Sequence, residues 1–258
     1  MNTLRHLTLL TGSSRGLGLA MARQLLAPDQ VLLCLARTVS DELAHLAATH
    51  GTHLEQWAQD LADGQEAAER LQLWLHSLHP SEFASATLIN NAGLIPRIVP
   101  LEQCPAQELS QALRVGLEAP MLLTGAFLRS TRAWVDAGWT GERRVLNISS
   151  GLGRRPMGSQ SPYCAAKAGL DHFSRCVALE EAAHPLGARI VSLAPGVIDT
   201  GMQVQLRGAE PNACADQPHF EQLHAQGLLA SPEDAAARVL AYLARPDFGA
   251  TPVADVRD

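Results

Sequence analysis

The chain has 258 residues, 47% of them hydrophobic and 18% charged, a composition that suits one large α/β domain rather than a disordered chain. Its formal net charge of −6 offers no basic surface for nucleic acid, and no apolar run approaches the length of a membrane span, about eighteen residues. We therefore expect a cytoplasmic protein without nucleic-acid or membrane partners.

Short β-like runs alternate with longer helical patterns along the chain, which is typical of βαβ units. Strands are predicted near 6–11, 30–36, 53–59, 86–90, 143–149, 188–194 and 251–256. Helices are predicted at 16–27, 40–50, 64–79, 106–136, 161–184 and 232–245. This order predicts a single domain over 1–258 with a Rossmann-type doubly wound fold, in which helices cover both faces of a seven-stranded parallel sheet.

A glycine-rich turn joins the first predicted strand to the first predicted helix, the context that a phosphate cradle needs. Gly12 permits the tight turn, Gly16 lets the backbone approach a pyrophosphate, and Gly18 lets the helix pack closely on the strand. The turn therefore predicts a dinucleotide site. Its predicted cofactor contacts are Gly12, Ser13, Ser14, Arg15, Gly16, Leu17 and Gly18.

The end of the second predicted strand indicates which dinucleotide is bound. An NAD-specific protein would place an acid there on the ribose 2′-hydroxyl, and the sequence reads Ala36-Arg37-Thr38 instead. Arg37 and Arg15 provide two guanidinium groups suited to bidentate recognition of a 2′-phosphate. We expect NADP(H) rather than NAD(H), with Arg37 and Thr38 in its site.

Metal and disulfide chemistry are not indicated by the sequence. The pairs His50 with His53 and His76 with His79 have metal-like spacing, but neither has a nearby cysteine or a convincing carboxylate as third ligand. The five cysteines form no C-x-x-C pair and are odd in number, which favours reduced thiols. No metal site is predicted.

Tyr163 and Lys167 are four residues apart, which on a helix places both side chains on one face, with Cβ atoms about 5 to 6 Å apart. A cation beside a phenol favours the phenolate, so the pair suits Tyr163 to acid/base work near neutral pH. Ser150 lies two residues after the apolar run 145–148. A strand formed by that run would bring the Ser150 hydroxyl to the same edge of the sheet. The three groups are predicted to converge on one carbonyl oxygen.

The segment 198–229 shows no clear periodicity and is rich in Gln, Gly and Pro. Long irregular segments in compact folds are often active-site lids, so we expect a lid over the substrate here. The alternative is a loop that only varies in sequence.

These motifs resemble, in the same order along nearly the whole chain, those of the short-chain dehydrogenase/reductase family. The matching segments are TGSSRGLG at 11–18, Asn90-Asn91-Ala92-Gly93, Ser150, Tyr163-Cys164-Ala165-Ala166-Lys167 and Pro195-Gly196. Within that family, the stretches 146–150, 163–168 and 177–181 are similar to those of sepiapterin reductases and bacterial benzil reductases.

The resemblance implies hydride transfer from a nicotinamide to a carbonyl carbon. Tyr163 would give a proton to the oxygen, Ser150 would steady that oxygen, and Lys167 would hold the nicotinamide ribose and lower the pKa of Tyr163. A homodimer or homotetramer is implied as well. Further cofactor contacts implied by the resemblance are Asp60, Leu61, Asn91, Ala92, Gly93, Pro195, Gly196, Ile198, Thr200 and Met202.

The resemblance also indicates a substrate, namely a carbonyl of a small cyclic or aromatic ketone or diketone. Ser150, Tyr163 and Gly196 would contact it, Asp258 matches the C-terminal Asp that anchors the pterin in sepiapterin reductases, and an apolar wall is predicted from Ser149, Leu152, Met157 and Met202. Two alternatives stay open. One is a reductase of acyl-carrier or sugar substrates, with a basic docking patch made of Arg143, Arg144, Arg154 and Arg155, and the other is a non-catalytic NADP(H)-sensing protein.

One position departs from the family pattern. In the long central helix most members carry a catalytic Asn at a helix irregularity, where its main-chain carbonyl holds a water in the proton path, and Gly116 occupies that position here. A glycine keeps the carbonyl and tolerates irregular backbone, so we expect the relay to persist with looser geometry. The alternative is a simple kink, formed with Pro120, in a protein that turns over slowly or not at all.

Overall fold

A computed structural model describes residues 4–258 and shows one parallel sheet of seven strands. The strands lie in the order β3-β2-β1-β4-β5-β6-β7, so the direction of winding reverses between β1 and β4. Doubly wound sheets bind ligands in the crevice beyond the carboxyl ends of the strands at this reversal. The predicted fold class is confirmed. The strands are β1 (Arg5–Thr11), β2 (Gln30–Ala36), β3 (His53–Ala58), β4 (Phe83–Asn90), β5 (Glu142–Ile148), β6 (Arg189–Ala194) and β7 (Val253–Asp255).

Helices cover both faces of the sheet. They are α1 (Gly16–Gln24), α2 (Asp41–His50), α3 (Gly64–Ser77), α4 (Ala106–Leu113), α5 (Ala119–Asp136), α6 (Ser161–Ala182), α7 (Gly201–Arg207), α8 (Gln217–Ala225) and α9 (Pro232–Leu243). In residues 4–258, none of them combines the length and the apolar composition that crossing a membrane requires.

Two regions differ from the elements that the sequence predicts. The single helix expected over 106–136 is divided into α4 and α5 by a π-helical turn at Arg114–Glu118. The segment 198–229, expected to be irregular, contains α7 and α8. Those two helices have seven and nine residues, too few to establish a 3.6-residue period in a polar sequence.

The alternation of side chains along the central strands divides the core into two layers. Leu7 and Leu9 of β1 face the layer that contains α3 and α5, whereas Leu10 faces the layer that contains α1 and α9. Successive strand residues point to opposite faces, so an unbroken apolar strand can bury both faces of a parallel sheet. The layers leave the carboxyl edge of the sheet as the place where polar side chains gather.

A buried ion-pair network fixes the far end of α6. The Glu181 carboxylate accepts hydrogen bonds from the guanidinium groups of Arg143 (2.8 Å) and Arg132 (3.1 Å) and from the amide of Ala188 (2.7 Å). The Arg143 side chain is fully buried, and burial lowers the pKa of Arg143 while the charge of Glu181 opposes that change. The network joins β5, α5 and the loop before β6 to α6.

We expect Glu181→Gln to lower the free energy of unfolding by about 3 kcal/mol, because removing one partner leaves the Arg143 guanidinium buried without its counter-ion. Urea unfolding followed by circular dichroism measures this. The control is Glu82→Gln, which breaks the exposed pair with Arg5 and should cost less than about 1 kcal/mol. Equal losses in the two variants would contradict the assignment of the network as a buried ion pair.

Candidate active site

Ser150, Tyr163 and Lys167 come together at the carboxyl edge of the sheet. Ser150 follows β5, and the other two lie one turn apart on α6. Ser150 is the polar side chain that acts on the Tyr163 phenol, where it lowers the pKa against the effect of burial. The Lys167 ammonium nitrogen lies 5.8 Å from the centroid of the Tyr163 ring and donates a hydrogen bond of 2.7 Å to the carbonyl of Ile148. The convergence predicted from sequence spacing is therefore present in the geometry.

The electrostatics of Tyr163 differ from the sequence expectation. Burial raises the pKa of Tyr163, and the opposing influence comes from the hydrogen bond with Ser150. Lys167 was expected to lower this pKa, but its ammonium is directed to the Ile148 carbonyl instead. In this arrangement Tyr163 holds its proton, as a general acid requires.

Lys167 is the only lysine in the chain, all other basic side chains besides histidine being arginines. Its side chain is buried, and burial lowers the pKa of Lys167 to about 8, while the carboxylate of Asp171 acts in the opposite direction. A guanidinium stays charged under nearly all conditions, whereas a buried ammonium can change its charge near neutral pH. The single lysine thus lies beside Tyr163, at a position where a cation that can lose its charge near neutral pH can take part in acid/base chemistry.

The glycine-rich turn forms a cradle against the end of β4. Gly12 has a φ of +70°, and a Cβ added at Gly18 would lie 2.1 Å from the Gly12 carbonyl oxygen. The Asn91 side chain closes the turn by donating to the carbonyls of Thr11 (3.0 Å) and Gly12 (3.2 Å). Helix α1 begins at Gly16, and no described side chain caps its first turn. Uncapped N–H groups at a helix N-terminus suit a phosphate.

The residues of this turn that were predicted to contact the cofactor differ in how exposed their side chains are. Arg15 is exposed and Ser14 is half-buried. Ser13 is buried and bonds to the thiol of Cys34, and Leu17 packs in the core, so each offers a ligand its backbone rather than its side chain.

The predicted 2′-phosphate and adenine contacts lie at the ends of β2 and β3. Arg37 and Thr38 are exposed directly after β2, and neither Arg37 nor Arg15 forms an ion pair with any residue in the described range. Asp60 is exposed and accepts a hydrogen bond from the amide of Ala62 (2.9 Å), whereas the Leu61 side chain is part of the core. Leu61 therefore has only its backbone to offer an adenine.

Of the further predicted cofactor contacts, Gly93 lies next to Lys167. A Cβ added at Gly93 would lie 3.8 Å from both the Lys167 nitrogen and the Met202 methyl carbon, and one added at Gly16 would lie 3.4 Å from the Thr200 methyl. The Asn91 and Ala92 amides both donate to the Thr11 hydroxyl, at 2.9 and 3.0 Å. The remaining contacts follow β6: Pro195 and Ile198 are buried, and Gly196 has a φ of +85°.

Gly116 lies in the middle of the π-helical turn Arg114–Glu118. The irregularity expected at this position is therefore present. A Cβ added at Gly116 would lie 3.1 Å from the Cβ of Ala166, the residue before Lys167, so an asparagine here would require a small shift of α6. π turns are often found at functional sites, and this one packs directly against the helix that carries Tyr163 and Lys167.

Helices α7 and α8 contribute to a small apolar cluster that extends to Cys164, the residue after Tyr163. Met157, Leu206 and Phe220 are buried in it, and Leu152 and Cys164 pack against them. Leu152 and Met157, which were predicted to form an apolar wall for the substrate, thus lie in one cluster. Met202 lies instead against Gly93.

Ser149 was expected to face the substrate, and this interpretation is wrong. Its side chain is buried, and its hydroxyl donates a hydrogen bond of 2.6 Å to Asp171. Sequence reasoning missed Asp171 altogether. Its position four residues after Lys167, on the same helix face, was the available signal.

Asp258 is exposed at the end of the tail. Its carboxylate accepts a hydrogen bond from the amide of Asp255 (3.2 Å). The pKa of Tyr242, on α9, is raised first by burial and also by the charges of Asp247 and Asp258. The Asp258 carboxylate thus lies near α9 and closes the C-terminal turn from Asp255 to Asp258.

Comparison with known proteins places these features in a wider group. A family model described as short chain dehydrogenase matches residues 6–211. The chain is 34% identical over 241 residues to a benzil reductase ((S)-benzoin forming) of Bacillus cereus, covering 93% of this chain and 94% of that protein. It is 30% identical over 250 residues to sepiapterin reductase of Rattus norvegicus, covering 93% and 91%. A solved structure of a candidate 2-deoxy-d-gluconate 3-dehydrogenase of Agrobacterium tumefaciens, with bound NADP, matches with a TM-score of 0.78 at 26% identity, covering 99% and 96%.

We expect the Lys167 amine to titrate near pH 8 in the cofactor-free protein. Because the chain has one lysine, [13Cε]lysine labelling gives one side-chain resonance to follow. Since the ordinary pKa is 10.5, the unfolded chain binds more protons between about pH 8 and 10.5, and the Lys167 contribution to stability rises across that window. The difference in unfolding free energy between wild type and Lys167→Met should show this rise. A resonance midpoint near 10.5 would contradict the assignment.

Proposed function

The chain belongs to the short-chain dehydrogenase family, and from this premise we propose that it is an NADPH-dependent reductase of a carbonyl in a small cyclic or aromatic ketone or diketone. The predicted resemblance to benzil and sepiapterin reductases is confirmed. The observation that carries the proposal is the convergence of Ser150, Tyr163 and Lys167 beside a glycine cradle and an apolar cluster.

The cradle fits a dinucleotide. A Cβ at Gly18 would collide with the Gly12 carbonyl, and the first turn of α1 is uncapped within the described chain. Arg15 in the turn and Arg37 after β2 are exposed, and neither has an ion-pair partner among residues 4–258. Arg15 and Arg37 would hold the 2′-phosphate, the α1 N-terminus the pyrophosphate, and Asn91, Thr200 and Lys167 the ribose and nicotinamide end. When bound, the nicotinamide supplies the hydride that reduces the carbonyl carbon.

The side chains of the chain handle the oxygen and its proton. Tyr163, kept protonated by burial, donates its proton to the carbonyl oxygen as negative charge develops there. Ser150 donates a hydrogen bond to the same oxygen. The Lys167 ammonium compensates the charge left on the Tyr163 oxygen, which is the role that a buried cation 5.8 Å from the ring can perform.

An apolar substrate is favoured by the cluster that extends to Cys164, next to Tyr163. Its side chains Met157, Leu206 and Phe220 consist only of carbon and thioether groups, which suit the rings of an aromatic diketone. The alternative acyl-carrier reductase stays open, but the docking patch expected for it is not a cluster of free arginines among the described residues. Of the arginines expected to form a docking patch, Arg143 is buried in the Glu181 network, and Arg144 and Arg154 donate to the carbonyls of Leu243 and Ala254. Arg155 is exposed and is the one of the four that takes part in none of these bonds.

We also propose that the protein is a homodimer or homotetramer. Leu109, Leu113, Leu117 and Met121, each four residues after the last, line an open apolar groove along α4 and α5. Leu179 on α6 is 77% exposed. An apolar stripe on long neighbouring helices suits pairing with a second copy.

We expect the purified protein to oxidise NADPH in the presence of benzil or sepiapterin. Tyr163→Phe should lower kcat by about 10²- to 10⁴-fold, because it removes the proton donor while keeping the ring. Absorbance at 340 nm measures turnover, and cofactor fluorescence measures NADPH binding, which should change less than about threefold. Retained turnover in Tyr163→Phe would refute the role of this residue. Tight NADPH binding without turnover of any carbonyl by wild type would favour the sensing alternative.

The cofactor preference has its own test. Arg37→Ala should raise KM for NADPH about 10- to 100-fold and leave KM for NADH unchanged, because a charge-assisted bond to the 2′-phosphate contributes about 1.5–3 kcal/mol. Arg238→Ala, which removes an exposed guanidinium from α9, is the matched control and should change neither value. Equal effects of Arg37→Ala on both cofactors would show that the guanidinium does not read the phosphate.

A further inference from the structure

A buried carboxylate lies one helical turn beyond Lys167. Tyr163, Lys167 and Asp171 are spaced four residues apart on α6, so their side chains share one face of the helix. Asp171 is 2% exposed. A carboxylate is rarely buried to this extent unless it is paired or hydrogen-bonded, so its partners indicate what it does.

The partners of Asp171 come from two neighbouring strands. One carboxylate oxygen, Oδ1, accepts hydrogen bonds from the hydroxyls of Ser149 (2.6 Å) and Ser192 (2.7 Å). Ser149 directly precedes Ser150 at the end of β5, and Ser192 is on β6. The carboxylate therefore joins the helix that carries Tyr163 and Lys167 to the strand end that carries Ser150.

The second oxygen of Asp171, Oδ2, is buried and has no hydrogen-bond partner among the described residues. The Arg154 guanidinium, with Nε at 3.6 Å, is the cation next to it, and Arg154 directly follows the short 3₁₀ helix Gly151–Gly153. Gly153 packs against this oxygen, since a Cβ added there would lie 2.9 Å away. Ser149 and Ser192 are neutral donors, so Arg154 is the one charged partner of the carboxylate within 4 Å among the described residues.

That charge acts on Lys167. Burial lowers the pKa of Lys167, and Asp171 is the charged group that opposes this change. The Arg154 guanidinium offsets part of the negative charge of the Asp171 carboxylate. Arg154 also acts on Asp255, which is paired with Arg257 at the end of β7. On the π turn that packs against α6, the charged side chains of Arg114 and Glu118 are exposed.

We propose that Asp171 is a positioning residue of the reduction: it sets the register of α6 against the strand end bearing Ser150, and it keeps the Lys167 ammonium charged while Tyr163 gives up its proton. This inference rests on the proposed function. The proton moves from the Tyr163 oxygen to the substrate oxygen, and Asp171 neither gains nor loses one.

The first arm of the test needs no substrate or cofactor. In Asp171→Asn with [13Cε]lysine, the single side-chain resonance should titrate at least about one pH unit lower than in wild type, because the opposing negative charge is gone. Glu181→Gln is the matched control. It neutralises another buried carboxylate on the same helix, and the Lys167 midpoint should stay where it is in wild type.

The second arm measures turnover of benzil with NADPH from pH 6 to 10. In Asp171→Asn, kcat should fall about 10- to 100-fold, KM for benzil should change less than about threefold, and the alkaline fall in kcat should move to lower pH with the Lys167 titration. Ser149→Ala removes one tether and keeps the charge, so kcat should fall with the Lys167 midpoint unchanged. Glu181→Gln should lose stability but keep the wild-type pH profile.

The outcomes separate the two proposals. If folded Asp171→Asn keeps the wild-type Lys167 midpoint and alkaline limb, the positioning role is wrong and the carboxylate is only structural. If wild type reduces no carbonyl while the resonance shifts as expected, the proposed function fails and the charge relation between Asp171 and Lys167 stands. If Asp171→Asn does not fold, wild-type kcat in folded Ser149→Ala overturns the proposal.

Discussion

The buried ammonium of Lys167 is the constraint on which the candidate site depends. Taking an ammonium out of water is costly unless nearby groups offset the loss of hydration. Three groups do so here: the Ile148 carbonyl accepts a hydrogen bond, the Tyr163 ring lies 5.8 Å away, and the Asp171 carboxylate provides the opposing charge. The compensation is partial, since the pKa still falls to about 8. The charge is therefore sensitive to its surroundings at the pH where an enzyme works.

Holding that charge in place requires a rigid helix, and α6 is attached to the sheet by polar side chains at three levels. Asp171 binds hydroxyls on β5 and β6, Ser174 accepts from the Asn147 amide, and Glu181 binds the buried Arg143. Asn147 in turn accepts from Asn90 on β4. Hydrogen bonds are directional, so these attachments fix the rotation and height of the helix more narrowly than apolar packing does. Of the three attachments, the one at Asp171 is the nearest along α6 to Tyr163 and Lys167.

The sequence predicts those parts of this arrangement that depend on residues close together in the chain. The glycine turn, the strands of the sheet and the Tyr163–Lys167 spacing are each contained in a short segment with one favoured geometry, and each was predicted correctly. The direction of the Tyr163 pKa, the pairing of Ser149 with Asp171 and the burial of Arg143 depend on contacts between residues far apart in the chain. No spacing rule contains that information. Helices α7 and α8 were missed for a different reason, because they are too short to show a period.

Gly116 stands where the family pattern has an asparagine, and the residues packed around it show how the backbone accommodates this change. The π turn persists without the asparagine side chain, so the irregularity is a property of the backbone between α4 and α5 rather than of that residue. Ala166 occupies the adjacent space, with its Cβ only 3.1 Å from where a Gly116 Cβ would lie. Because Ala166 is bonded to Lys167, restoring a side chain at 116 would push on the segment that holds the ammonium. Without a side chain at 116 the π turn packs directly on α6, and any role for this position in proton transfer falls to its main-chain carbonyl.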